Sequence, residues 1–380
     1  MRVKALPEST VWVGLGFCAD KRLLTPFAHY GGYHEMRAPH APATTRREDI
    51  MKRIKHTALR KKRSLGFLGP ALPGVLCLSV AAAAQADAAS KTAEARRHDT
   101  WRASISRTAV PGSGCFTAAY PSTVWTRVAC SKAPNRLFLP AHGPSGFVVG
   151  NGNDYAAETA TLISSAVASF PSIKGLTSET NDGSSDTYSL QLNSSYYVSP
   201  VCQSAQDPTN CRAWMQFAYS NPGGAFMEVW LIDYGFTCPS GWGQYVNDCV
   251  LNSNQVNVPT QTLAELKDIQ VKGSAVANGN DTVKLTTSSN AYAVTMADSV
   301  VDLAQGWNTA EYNIFGDGGG SEAVFNAGTT IDIKVQLKDG STSAPVCEND
   351  GFTLETNNLG LNRCKTAGGK KPSISFSESD

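Results

Sequence analysis

The sequence predicts an all-β protein, an antiparallel two-sheet β-sandwich stabilised by disulfides and carrying little helix. Three observations predict it. Short segments alternate apolar and polar residues, turn-forming clusters separate those segments, and eight cysteines follow an export-like stretch. The clearest alternation is Ile331-Asp-Ile-Lys-Val-Gln-Leu337. It puts Ile331, Ile333, Val335 and Leu337 on one face and Asp332, Lys334 and Gln336 on the other, as a half-buried strand requires.

Further strands are expected at Tyr188 to Asn193, Trp214 to Tyr219, Phe226 to Ile232, Thr282 to Leu285, Ala291 to Thr295, Glu311 to Phe315 and Ser373 to Phe376. Asn181-Asp-Gly183, Asn221-Pro-Gly-Gly224 and Asp317-Gly-Gly-Gly320 supply turns between them. A helix is allowed at Tyr155 to Ser169 and at Met296 to Gly306, although the Thr, Ser and Val of the first suit a strand equally. Strands at this density without βαβ alternation point to a sandwich.

Residues 51–88 read as a signal peptide: basic from Met51 to Arg63, apolar from Ser64 to Ala84, then small residues at Ala84-Gln-Ala86 or Ala86-Asp-Ala88. Pro70 and Pro73 suit that reading better than a membrane-spanning helix. Residues 1–50, rich in Pro, His and Arg and without periodicity, read as a non-native or disordered upstream extension, with Met51 an alternative start. Residues 89–114 are polar and unpatterned and read as a linker or propeptide. Residues 115–380 read as a single sandwich domain.

An even set of cysteines in an exported chain implies disulfides. Their order suggests the local pairs Cys115 with Cys130, Cys202 with Cys211, Cys238 with Cys249 and Cys347 with Cys364, although eight cysteines allow about a hundred connectivities. No C-x2-C spacing occurs, and beyond residue 88 only His98 and His142 offer imidazole, so neither a metal nor another cofactor is expected.

Residues 88–380 carry 19 Lys/Arg against 26 Asp/Glu, a balance of −7 without a basic cluster, which argues against nucleic acid. There is no P-loop, H-E-x-x-H, EF-hand loop or G-x-S-x-G. Histidine is scarce and the cysteines are expected to be oxidised, which disfavours a serine triad or a thiolate nucleophile. Carboxylate and carboxamide chemistry is what remains.

Here the residues resemble a family. Tyr188-Ser-Leu-Gln-Leu-Asn193, followed by Ala213-Trp-Met-Gln-Phe-Ala-Tyr219, resembles the "LQ-x-G" and "AWYEWYP" strands of the eqolisins, the glutamic peptidases. Ala310-Glu-Tyr-Asn-Ile-Phe-Gly-Asp-Gly-Gly-Gly-Ser-Glu-Ala-Val-Phe325 is similar to that family's "AEWIVE" strand with the Gly-rich loop and "FADFG" strand behind it. Asp268 to Thr295 resembles the strands that lead up to the family's Glu. The motifs stand in the family's order over residues 145–340. The "WVGIDG" stretch is not legible, since Thr180-Asn-Asp-Gly183 stands in a similar place without a Trp, and the Glu of "YEWYP" is Gln216.

The resemblance implies a concanavalin-like, eqolisin-like sandwich of two bent sheets, with a catalytic Gln191 and Glu311 on the concave face of the fold. It implies a secreted, acid-active glutamic endopeptidase in which Glu311 is general base and Gln191 the oxyanion donor. Trp214, Gln216 and Asn313 would line the substrate cleft. Alternation agrees, because Ser189, Gln191 and Asn193 oppose Tyr188, Leu190 and Leu192, and Glu311 and Asn313 oppose Tyr312 and Ile314. The expected partner is a polypeptide substrate, with neither nucleic acid nor, after signal removal, a membrane; a monomer is expected.

The competing reading is a non-catalytic secreted sandwich that binds glycan or a cell-surface polymer, with Trp230, Trp242 and Trp307 as a stacking platform. Asp317-Gly-Gly-Gly320 reads as a plain hairpin loop. Glu228 and Asp233 fall on opposite faces of one strand, which argues against a second carboxylate pair.

Overall fold

Alternating side chains assemble two large antiparallel sheets that bury their apolar faces against each other. The structure is a computed structural model that describes residues 76–141 and 148–380. The expected upstream extension and most of the expected signal peptide lie outside those residues, as does His142. Among the described residues no helix is long and apolar enough to cross a membrane.

The first sheet runs in the order Thr126–Val128, Cys115–Ala119, Asn290–Ala297, Asn280–Thr286, Gln270–Ser274, Ser165–Lys174, Thr330–Lys338, Ser373–Ser379 and Gly360–Leu361. The second runs Gly243–Tyr245, Asp248–Asn252, Gly223–Ile232, Arg212–Asn221, Tyr188–Ser194, Thr309–Phe315, Tyr155–Glu158 and Val346–Asn349. A small third sheet includes Val149–Gly150, Thr356–Asn357 and Glu322–Phe325. Every strand expected from alternation lies inside an observed one; Ile331 to Leu337 sits within Thr330–Lys338, whose Ile331, Ile333, Val335 and Leu337 are buried.

Between the sheets, Leu190, Leu192, Tyr312, Ile314, Phe217 and Val229 meet Val271, Val283, Leu285, Ile331, Ile333 and Val335 in one apolar cluster. Burial of this kind stabilises by roughly 25 cal/mol per Å² of apolar surface. Four disulfides join Cys115 to Cys130, Cys202 to Cys211, Cys238 to Cys249 and Cys347 to Cys364, each pinning a local loop.

Three expectations are corrected. Tyr155 to Ser169 contains no helix: Tyr155–Glu158 is a strand, and Ser165–Lys174 pairs with Gln270–Ser274 on one side and Thr330–Lys338 on the other. Met296 to Gly306 starts with the end of the strand Asn290–Ala297 and continues in the 3-10 turns Asp298–Val300 and Leu303–Gln305, interrupted by Asp302 at φ 53°. Asp317 to Gly320 is not a hairpin loop, because the strands it joins, Thr309–Phe315 and Glu322–Phe325, belong to different sheets.

The segment that reads as unpatterned from residue 89 is helical as far as Arg107, within the helix Leu76–Arg107. Trp101 and Ile105, one turn apart, bury against Phe116, Ala118, Trp125, Ala291 and Ala293 on the first sheet. The Trp101 indole donates to Ser122 O (2.7 Å), and Arg102 pairs with Asp268 (2.9 Å). Lys272 and Lys284 donate to Ser106 O (3.0 Å) and Thr108 O (2.6 Å), satisfying carbonyls at the helix end, where cations also favour the dipole.

Candidate functional site

Because the apolar residues of the Tyr188–Ser194 and Thr309–Phe315 strands face the core, Gln191, Asn193, Glu311 and Asn313 must emerge on the opposite face of the second sheet. Antiparallel register then sets them side by side: Glu311 lies opposite Asn193 and Asn313 opposite Gln191. The next pairings continue the row, from Asn193 to Gln216, from Gln216 to Glu228 and from Glu228 to Asn252. Five polar residues from five adjacent strands thus form one line across the sheet.

Hydrogen bonds order this line. Asn193 Nδ2 donates to Glu311 Oε2 (2.9 Å) and lies 3.4 Å from Gln191 Oε1, so one amide nitrogen bridges the two residues singled out from sequence. Gln216 Nε2 donates to the same Gln191 oxygen (3.1 Å). With its carbonyl held, Gln191 directs one N–H to Ser189 Oγ (2.9 Å) and has a second N–H to give. The backbone N–H of Phe352 also donates to Glu311 Oε2 (3.2 Å). Gly351 carries no Cβ against this carboxylate: one placed there would stand 3.1 Å from Glu311 Oε1 and from the Gly152 backbone.

The residues expected to line the cleft fall around the pair. Gln216 touches Gln191 directly. Trp214 shares the face with Gln216, donates to Ser194 O (2.9 Å) and packs edge-on to Tyr196. Asn313 donates to Asp154 (3.1 Å) and Glu378 (3.0 Å), and Asn357 also reaches Glu378 (3.3 Å). Alternation put Asn193 on the polar face beside Gln191 but did not expose Asp154, Glu228 or Glu378 as members. Glu228 carries the one available signal, its parity with Phe226 and Trp230 on the face that holds Gln216. Asp233 is exposed at a turn with φ 55°, so the two acids are indeed apart. Trp230 and Trp307 are fully buried and present no stacking platform; Trp307 belongs to the main core.

The face is covered. Gln191, Asn193, Gln216, Glu228, Glu311 and Asn313 are each 0% exposed. One cover is the Gly351–Phe352 backbone; another is the segment Arg136 to Ala141, whose Phe138 stacks on Phe226 (5.8 Å) beside Ala218. Phe138 N donates to Glu228 Oε1 (2.8 Å). Beside the covered row, a surface cleft of about 360 Å³ is lined by Ser195, Tyr196, Asn308, Thr309, Asp350 and Phe352, among others.

Burial dominates the electrostatics. It pushes the carboxyls of Glu311, Glu228 and Glu378 up to about 8, against partial relief from their hydrogen bonds, with Asp350 and Glu355 raising Glu311 further. Asp154 is driven well above the carboxylate range by burial and then by Glu311 and Glu378. The ion pairs among the described residues, such as Arg102 with Asp268 and Arg136 with Asp182, include none of these carboxyls. Among the described residues, Asn193, Gln216, Asn252 and Glu311 each keep a buried side-chain oxygen without a hydrogen-bond partner. Such atoms cost about 1–3 kcal/mol apiece. No group of three or more His, Cys, Asp or Glu placed to hold a metal ion occurs among the described residues.

No protein-family model matches the chain, and no curated protein matches it. Solved structures do. The chain is similar to scytalido-glutamic peptidase bound to a peptide-based transition-state analog, with 12% identity, a TM-score of 0.28, and 61% of this chain and 98% of that one covered. It is likewise similar to SCP-B, a member of the eqolisin family of peptidases, in complex with the tripeptide Ala-Ile-His, with 13% identity, a TM-score of 0.27, and 60% and 98% covered.

Proposed function

We propose that this chain is a secreted glutamic endopeptidase that hydrolyses polypeptides at acidic pH. The observation that carries the reading is the Asn193 amide shared between Gln191 and Glu311, which sets a carboxamide and a carboxyl on one face of adjacent strands. The motif resemblance to eqolisins supports it, and the four disulfides fit folding in an oxidising compartment. The acidic balance of residues 88–380 and the small-residue end of the apolar segment fit export.

Amide hydrolysis without a metal or covalent nucleophile needs a base for water and a donor for the developing oxyanion. Ionised Glu311 takes a proton from water as the water oxygen bonds to the scissile carbonyl carbon. The free Gln191 N–H donates to the tetrahedral oxyanion. Glu311 then passes its proton to the nitrogen as the C–N bond breaks, releasing a carboxylic acid and an amine. Asn193 holds the carboxyl, and Gln216 holds the carboxamide. Under its cover Glu311 is protonated and cannot act as a base; with water admitted, its pKa returns toward the ordinary carboxyl range, which sets activity in acid.

The test is digestion of an unfolded protein at about pH 3 to 5, with pepstatin present to silence aspartic peptidases. Each chain is assayed as wild type and as Glu311→Gln, both in the native background and with Phe138→Ala, which loosens the cover. Cleavage that requires Glu311 in at least one background is expected. Equal cleavage with Glu and Gln, or none in either background, contradicts the reading.

A further inference from the structure

The segment covering the polar row is held as an extended peptide would be. Gly319 N donates to Leu137 O (2.7 Å), Phe138 N to Glu228 Oε1 (2.8 Å) and Leu139 N to Glu355 Oε1 (3.0 Å). Leu354 N donates to Leu139 O (2.8 Å), Ala141 N to Phe352 O (2.9 Å), and Pro140 bridges to Thr353. The Arg136 guanidinium reaches Gly318 O (2.9 Å) and pairs with Asp182. Main-chain groups on both sides of the segment are therefore engaged, as when a polypeptide strand is captured by main-chain hydrogen bonding. A Cβ at Gly318 would lie 2.9 Å from both Leu137 O and Arg136 Cγ, and Gly318 has φ 82°, so the Gly-rich loop is shaped around this segment.

Phe138 supplies the side-chain anchor. It is 1% exposed and packs with Phe226 and Ala218. Ala218 lies directly opposite Gln191 in the register, so the aromatic seat is one strand from the carboxamide. The fit is nonetheless incomplete, since oxygens of Asn193, Gln216 and Glu311 in the adjoining row stay without partners among the described residues.

We infer that Arg136 to Ala141 is an intramolecular occupant of the substrate groove, an autoinhibitory strap that seats Phe138 where a large apolar side chain of a polypeptide substrate would bind. The latency that follows rests on the peptidase reading; the occupancy itself does not. The strap also closes the row at Glu228, and its Ala141 end is hydrogen-bonded to Phe352, whose backbone with Gly351 covers Glu311 and keeps out the water that carboxyl needs in order to ionise. It reaches back through the Cys115–Cys130 disulfide to the docked helix, so the inhibitory part of the chain extends beyond residue 114, where composition places the end of a linker or propeptide.

The test reads exposure of the groove separately from catalysis. In the full chain carrying Ala218→Cys, the rate of thiol modification at residue 218 is followed by peptide mapping under native conditions, alone and combined with Phe138→Ala or Tyr196→Phe. Tyr196→Phe is the milder variant; it deletes only the hydroxyl whose single O–H is shared between Ala141 O (2.7 Å) and Phe352 O (2.9 Å). Modification is expected to accelerate about a hundredfold with Phe138→Ala and about tenfold with Tyr196→Phe, because each loosens a local opening without unfolding the sandwich. A synthetic peptide with the sequence of residues 132–141 should restore protection in the Phe138→Ala chain. Unchanged modification in both variants, or no protection by the peptide, overturns the strap. If modification accelerates while no peptide is hydrolysed at acid pH, the strap stands and the peptidase reading falls. If the intact chain already hydrolyses as fast as the Phe138→Ala chain, the strap is overturned.

Discussion

The melting temperature is expected to be highest below about pH 4.5 and to fall by roughly 10 °C or more as the pH is raised to about 8. Most proteins lose stability toward acid; the buried carboxyls here reverse that sense. Burial holds Glu228, Glu311 and Glu378 near 8, and Asp281 also near 8, with Asp298 adding to the last. In the unfolded chain these groups titrate at ordinary carboxyl values of about 4. Between those limits the folded state keeps protons that the unfolded state has released, so each pH unit climbed in that window favours unfolding. The stability from these groups is fully present below the unfolded pKa values and gone once the pH passes the folded ones. Thermal melts by circular dichroism from about pH 4 to 8 measure it. A melting temperature that rises across the window would mean these carboxyls are ionised in the native state, and that the covered row is not as dry as the structure has it.

The second large effect is a split between stability and activity in Glu311→Gln. At about pH 7 the native chain bears the cost of keeping Glu311 neutral, and Gln removes it, a gain on the order of 2–3 kcal/mol that vanishes near pH 4. The amide can accept from Asn193 and Phe352 as the carboxyl does, and its NH2 replaces the unpartnered Oε1. The same substitution removes the proposed general base, and on that proposal peptide hydrolysis is expected to fall about a thousandfold or more. Paired measurements of melting temperature and initial rate decide it. A merely structural Glu311 would give the stability gain without the loss of rate.

Much of the architecture was legible because one face of each strand meets the core. Ile331 to Leu337 and Tyr188 to Asn193 declare that face by parity, and parity alone sends Gln191 and Glu311 to the other side. What parity could not say is that this other side is buried too. All seven residues of Tyr188–Ser194 are buried, and their neighbours in the polar row are covered by segments distant in sequence, Glu311 by Gly351–Phe352 and Glu228 by Phe138. For the same reason Asp154 and Glu378 were invisible as neighbours of Asn313. Glu228 was set aside by comparison with Asp233, which lies in the turn after its strand, whereas its partners are Gln216 across the sheet and Phe138 above it. The helix to Arg107 escaped because its buried signal is a single turn, Trp101 and Ile105, within an otherwise polar stretch.

The claim that Gln191 and Glu311 work as one unit is tested most directly by a double-mutant cycle on the initial rate of acid hydrolysis in the Phe138→Ala chain, using Gln191→Ala, Glu311→Gln and both together. Groups that stabilise one transition state are strongly non-additive, so each single variant should lose about a hundredfold or more and the double should be little worse than the poorer single. Either single variant cleaving at the rate of its parent would contradict the account.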